Sequence, residues 1–274
     1  MGDLKIEAYP PKETLKKHVR SILVTTATNL SNEIIPVGPT GFSYFTYSRY
    51  PVKLSYSDRT LESDEQLYLV GQLDKEMPHF TIDGDFFHIG LELFPTSMSY
   101  FFNLKGKEIV DNGILLIDKF PIQAEHLRMR LSLIKNPIII AEELQEFLNE
   151  RLSEIEPIGF LDHALNLILQ ENGNIRIGEL SAHANVSERH FRRMFKQVIG
   201  ISPKKYCKII QFNTVFEAIR SGNEKQLMDL MLSNGYYDQA HFINDFKSYL
   251  GQSPTEFLNS GHSFLKSYLG FVRS

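Results

Sequence analysis

The sequence predicts an α+β protein of more than one domain. An N-terminal β-barrel or sandwich with helices precedes an all-α part that holds two helix-turn-helix units on one linking helix. Three observations predict this. A twenty-residue stretch is written twice, fifty-one positions apart; residues 1–120 carry short runs of β-formers separated by turn residues; and charge is unevenly divided along the chain.

The repeat comes first, because self-similarity constrains a fold more than local propensity does. SERHFRRMFKQVIGISPKKY (187–206) returns without a gap as DQAHFINDFKSYLGQSPTEF (238–257). His190 aligns with His241, Phe191 with Phe242, Phe195 with Phe246, Gly200 with Gly251, Pro203 with Pro254 and Tyr206 with Phe257. Each copy reads as a helix that stops and restarts: Ser187 or Asp238 as N-cap, two Phe four apart on one face, a glycine stop, then Ser-Pro opening the next helix. In the second copy Ser253 and Glu256 also have capping-box spacing.

Upstream of the first copy, Leu180 and Ala184 lie four apart and Asn185 can turn the chain; upstream of the second, Leu227, Leu230 and Met231 form an apolar stripe and Gly235 makes the turn. A short helix, a tight turn and a second helix with basic outer positions make a helix-turn-helix. Between the copies, 203–220 reads as one amphipathic helix, with Ile209, Phe212, Val215, Phe216 and Ile219 spaced for burial and Ser221-Gly222 as its end. The outer face of the first copy carries Arg189, Arg192, Arg193 and Lys196, which suits phosphates and base edges. Taken alone, such a face is equally a solvated surface.

On these motifs, residues 158–260 resemble the DNA-binding domain of the AraC/XylS family of bacterial transcription regulators, most closely in GYYDQAHFINDFKSYLGQSPTEF (235–257). The resemblance implies a sequence-specific transcription regulator that binds double-stranded DNA, with RNA polymerase as a further partner. By family position, Arg189 and Arg193 are the base readers, Arg192 reads bases or turns to the backbone, and Lys196 and Lys205 hold phosphates. In the second unit the matching positions hold Ala240, Ile243, Asn244 and Lys247, with Asn244 as an adenine reader that Gln239 can assist, and Lys247 at the position of Lys196. Asn244 stands where many members carry arginine, with Asp245 beside it, and Gln211 replaces a common arginine on the linking helix. These departures point to a weaker second unit.

Composition agrees with such a protein. The chain has 274 residues, 42% of them hydrophobic, enough for packed cores in two domains. The one cysteine, Cys207, cannot form an internal disulfide, which fits a reduced cytoplasm and a filler role on the linking helix. No run approaches the ~20 apolar residues of a membrane span, and the N-terminus lacks an apolar signal core, so no membrane association is expected. The formal charge of −4 conceals a division: from Pro157 onward 13 Lys and Arg face 10 Asp and Glu, whereas residues 1–156 hold 16 against 23. That asymmetry is expected when only the C-terminal part meets phosphates.

In the N-terminal part a short helix is expected over 11–20. Strands are expected over 21–27, 33–37, 42–47, 52–56, 66–70, 79–82 and 86–93, with turns at Gly38-Pro39-Thr40-Gly41 and Asp83-Gly84-Asp85. KETLKKHVRSI (12–22), IPVG (35–38) and HIGLELFP (88–95) with a short helix after it resemble the cupin-like sensor domains fused to some AraC-type regulators. Strand alternation puts Phe42, Tyr44 and Thr46 on one face and Ser43, Phe45 and Tyr47 on the other. Aromatic richness, including Tyr44, Tyr68 and Phe80, predicts an apolar pocket for a small-molecule effector, with Phe42, Tyr44, His79 and His88 as candidate contacts. His88 and Glu92 share one strand face, opposite Ile89, Leu91 and Leu93. A cupin metal centre needs a His-x-His pair that is missing here, so no metal is expected. No phosphate loop, nucleophile elbow or Cys/His cluster points to a cofactor or to catalytic residues. Two other readings stay open: an N-terminal domain that binds a protein partner, and a cupin-like enzyme fused to a DNA-binding module.

From residue 121 the pattern turns helical. Leu127, Leu131 and Ile134 form one stripe; after Asn136-Pro137 come Ile140, Leu144, Phe147, Leu148 and Leu152, with Glu142, Glu143 and Glu146 outside. These helices either cap the barrel or, as the resemblance implies, pair two subunits into a homodimer. The expected divisions are 1–120 for the sensor, 121–156 for dimerisation and linker, 157–262 for DNA binding and 263–274 for a tail.

Overall fold

Among the described residues, seven strands open the chain and an eighth follows two short helices. They are β1 (Lys5–Tyr9), β2 (Val19–Pro36), β3 (Ser43–Ser48), β4 (Val52–Ser55), β5 (Thr60–Ser63), β6 (Leu67–Val70), β7 (His79–Leu93) and β8 (Gly113–Leu115). The computed structural model describes residues 5–63, 67–75, 77–152, 159–220, 231–232 and 234–259. Leu227, Leu230, Ser221-Gly222, the expected linker around 154–157 and the tail at 263–274 lie outside the described residues.

The strands form one antiparallel sheet in the order β1-β2-β7-β3-β6-β8, with β4 pairing both β5 and β7. β7 organises it: residues 79–81 pair with β4 and residues 88–93 with β3, while β2 runs along its whole length. Two expectations merge here, because 21–27 with 33–37, and 79–82 with 86–93, are each one continuous strand. Asp83-Gly84-Asp85 is not a reversal. Gly84, Asn29 and Asn32 take positive φ, and the Asp85 and Asp83 carboxylates accept from the backbone N–H groups of Asn29 and Asn32 at 3.2 and 3.1 Å. The turn-forming residues therefore stabilise bulges in a two-stranded ribbon. The helix expected over 11–20 is a single 3-10 turn, Glu13–Leu15, because β2 has already begun at Val19.

Alternation gives the sheet two apolar faces. Phe45, Tyr47, Leu69, Ile89, Leu91 and Leu93 pack with helices that follow the sheet: α1 (Ser97–Phe102), α2 (Gly106–Ile109), α3 (Leu116–Lys119), α4 (Pro121–Ser132) and α5 (Pro137–Asn149). Leu127, Leu131, Ile140, Leu144 and Leu148 are wholly buried there, so the helical stripes read from the sequence face the sheet. Burying each such side chain contributes roughly 1.5–3 kcal/mol.

On the other face Tyr44, Tyr68, Val70, Ile82 and Phe86 turn inward, and their cluster runs on into Ile209, Phe212, Phe242 and Phe246 of the C-terminal helices. Those helices are α6 (Gly159–Gln170), α7 (Ile177–His183), α8 (Glu188–Ile199), α9 (Pro203–Arg220), α10 (Gln239–Leu250) and α11 (Pro254–Asn259). α9 is the linking helix, with the bounds its periodicity predicts. Cys207 fills space on it, and burial pushes its thiol up to about 12.

Candidate nucleic-acid interface and barrel pocket

The repeat folds as it reads. Ser187 Oγ accepts from His190 N at 3.3 Å at the start of α8, and Asp238 Oδ1 accepts from His241 N at 2.8 Å at the start of α10. Gly200 and Gly251 end the two helices with φ of 97° and 72°, a region that favours glycine. Phe191, Phe195, Phe242 and Phe246 are buried, as are the paired Tyr206 and Phe257. Ser253 and Glu256 close a full capping box, the Ser253 N–H donating to Glu256 Oε2 at 2.6 Å and Glu256 N to Ser253 Oγ at 3.2 Å.

The turns that precede α8 and α10 also match. Asn185 and Gly235 take positive φ, and Val186 N donates to Ser181 O as Tyr236 N does to Met231 O. The second turn holds one extra residue, Tyr237, which is 86% exposed. No periodicity marks it in the sequence.

With the apolar face of α8 buried, Arg189, Arg192, Arg193 and Lys196 are all exposed. Arg192 Nε donates to Glu188 Oε1 at 2.8 Å, and Arg193 Nη2 lies 3.1 Å from His190 Nδ1. An exposed pair of the Arg192 kind is worth only about 0.3–0.5 kcal/mol, so phosphate can displace it readily. On α10, Gln239, Asn244 and Lys247 are exposed. Asp245 is half-buried and turned inward, 3.8 Å from Lys208 on α9 and 3.9 Å from His241. Gln211, which stands where the family commonly has arginine, donates to the Gly173 carbonyl at 3.1 Å and so ties the turn after α6 to α9.

Lys205, expected to meet phosphate, is placed against the β-rich half. Its ammonium donates to the Asp74 carbonyl at 3.0 Å and lies 5.2 Å from the centre of the Tyr249 ring. The β-rich half has captured it.

That capture is part of a wider docking. Asn213 on α9 donates to the carbonyls of Pro39 and Thr40, each at 3.1 Å, and Asp162 on α6 accepts from Thr96 at 2.6 Å and Tyr100 at 2.5 Å. Backbones touch where α2 meets the end of α8: a Cβ on Gly106 would lie 2.0 Å from Gly200 N. Asp74, Lys75 and Asp111 face Arg192, Arg193 and Lys196 across an open cleft beside this contact.

Inside the sheet, Ile35, Pro36, Val37, Gly38, Thr40, Tyr44, Thr46, Leu54, Tyr68, Val70, Pro78, Phe80, Phe86 and His88 line a cavity of about 50 Å³. Of the four candidate contacts, Tyr44 and His88 are in it. Phe42 is not, since its ring packs on Phe94 and under Arg20. His79 is not either, because it starts β7 at the outer rim and lines a groove with Met77 and Leu250. The Tyr44 hydroxyl lies 2.9 Å from Thr40 Oγ1 and 3.1 Å from Glu92 Oε1, and Arg20 and Ser21 also hold Glu92, which is completely buried. Burial raises the Glu92 carboxyl above the usual range, against the pull of Arg20.

Comparison with known proteins follows the same lines. A family model described as a helix-turn-helix domain matches residues 180–260. An uncharacterised HTH-type transcriptional regulator of Haemophilus influenzae is 31% identical over 101 residues, 36% of this chain and 34% of that one. The match therefore spans only about a third of that relative. The probable transcription factor PqrA of Proteus vulgaris is 30% identical over 95 residues, 34% of this chain and 75% of that protein. Among solved structures, ToxT of Vibrio cholerae O395 superimposes with a TM-score of 0.52 at 10% identity, over 87% of this chain and 97% of that one, a likeness of fold. ToxT bound to (E)-4-(8-methylnaphthalen-1-yl)but-3-enoic acid gives 0.50 at 10% identity, over 97% and 99% of the two chains. With the doubled helix-turn-helix, the linking helix and a sequence match over most of PqrA, this chain belongs to the AraC/XylS family of transcription regulators.

Proposed function

We propose that the protein is a cytoplasmic regulator that reads a specific DNA sequence through α8 and α10, under the control of a small molecule held in the barrel. The exposed arginine face of α8, capped and buried on its opposite side as a recognition helix must be, carries the reading. Arg189 and Arg193 offer bidentate donors to guanine edges, and Lys196 serves phosphate. The cavity beside Tyr44 and His88 supports the effector, as does the bound acid in ToxT, a protein of the same fold. Mapping bound genomic DNA tests the proposal. Discrete occupied sites that disappear when Arg189, Arg192 and Arg193 are all replaced by alanine are expected; diffuse binding unchanged by those substitutions would overturn it.

A second reading, the homodimer, has its own observation. Ile122, Met129 and Leu133 form an exposed stripe on and just after α4, with Leu133 85% exposed. A stripe of this kind fits a second copy of the helix pair. Light scattering should show a dimer that Leu133→Glu converts to monomer, and a wild-type monomer at micromolar concentration would contradict it.

A further inference from the structure

We infer that the barrel pocket takes an uncharged, mainly apolar ligand carrying one hydroxyl, and that this hydroxyl pairs with Nε2 of His88. The inference rests on the effector role proposed for the pocket and adds the chemistry of the occupant. His88 is 6% exposed, and its Nε2 has no hydrogen-bond partner among the described residues. A buried polar atom left in that state is rare, and in a cavity wall it marks where a ligand atom belongs. Among the other polar side chains of the wall, Thr46 donates to the Tyr68 carbonyl at 3.1 Å and the Tyr44 hydroxyl pairs with Thr40 and Glu92. The Tyr68 hydroxyl, like Nε2 of His88, has no hydrogen-bond partner among the described residues and offers the ligand a second polar contact.

The wall also sets the charge and shape of the occupant. Among the described residues no Lys or Arg lines the cavity, and Arg20 is held by Glu92 at 2.6 Å. A carboxylate inside would lose its water with no cation to replace it, and would sit near Glu92. Burial holds the imidazole of His88 down to about 4 and the Tyr68 phenol up to about 12, so both stay neutral near pH 7. A neutral imidazole presents either a donor or an acceptor at Nε2, and a hydroxyl satisfies both tautomers. The His88 ring stacks on Phe86 at 5.7 Å and meets Tyr68 and Phe80 at 6.1 and 6.3 Å, walls that suit a flat apolar body. A benzene-sized body takes roughly three times the 50 Å³ present, so entry displaces residues 38–40, which lie beyond the last strand pair of β2 at Pro36.

Three probes of equal ring size test this on the full chain: phenol, benzene and benzoate, each titrated at pH 7 while histidine ring NMR signals and thermal unfolding are followed. The expected result is that phenol binds on the order of tenfold more tightly than benzene and moves the His88 signals, while benzoate does not bind. In His88→Phe the preference for phenol disappears and benzene still binds; in His88→Gln, which keeps a donor and an acceptor, the preference returns. Benzoate binding as tightly as phenol, or phenol no better than benzene, would overturn the ligand class and leave the pocket standing. Binding of none of the three would overturn both.

Discussion

His88 shows what a single residue does in this fold. Its pKa falls to about 4 because burial disfavours the charged ring, whereas the unfolded chain titrates near 6.5. The unfolded state therefore binds the proton first, so stability is complete above about pH 6.5 and falls as pH drops toward 4. The loss amounts to roughly 3 kcal/mol across that window. Urea unfolding at pH 7.5 and 4.5 should show this loss in the wild type and not in His88→Phe. An equal acid loss in both would assign it to other groups, such as Glu108, whose carboxyl is held below the usual range by the Lys105 backbone N–H, whereas the raised Glu92 acts in the opposite direction. The cations of α8 and α9 divide in the same concrete way. Lys196→Ala should lower the salt slope of DNA binding by about one unit at every sequence. Lys205→Ala should leave the slope unchanged, because its ammonium is held by the Asp74 carbonyl. Anisotropy titrations over a salt series separate the two.

At the scale of elements, the legible parts are those whose signals are local. Ser187, Asp238, Gly200 and Gly251 announce helix ends that the backbone adopts, and the period of α9 fixes its burial. Asp238→Ala should cost about 1 kcal/mol through loss of the α10 cap, measurable by chemical unfolding. A change below experimental error would show that α10 is held by packing alone. Illegible parts depend on what lies across space. Asp83-Gly84-Asp85 looks like a turn because bulge and turn use the same residues, and only the partner strand decides between them. Phe42 and His79 share composition with the pocket wall, yet one packs under Arg20 and the other sits at the rim. Asn213 gave no signal at all, since a lone asparagine on an apolar helix face resembles a tolerated substitution. Its two carbonyl partners lie more than 170 residues away in sequence.

For the whole molecule, that asparagine ties the β-rich half to α9. The segment it holds, residues 39–40, borders the barrel cavity on one side and α9 on the other, and α9 carries both helix-turn-helix units. Asn213→Ala removes the two hydrogen bonds to residues 39–40 and should weaken docking by about 1–3 kcal/mol. Hydrogen exchange should then rise at residues 40–42 and stay unchanged in the middle of β7; unchanged exchange at 40–42 would remove Asn213 from the coupling. The central claim is that this family member reads DNA chiefly with α8. Selection from a randomised DNA library, with wild type, Arg193→Ala and Asn244→Ala compared at several salt concentrations, tests it most directly. The expected result is one enriched sequence spanning two major-groove segments about 34 Å apart. Arg193→Ala should cost ~1–3 kcal/mol and relax one base pair, and Asn244→Ala should cost less. No enriched sequence, or equal losses of specificity from the two substitutions, would contradict it.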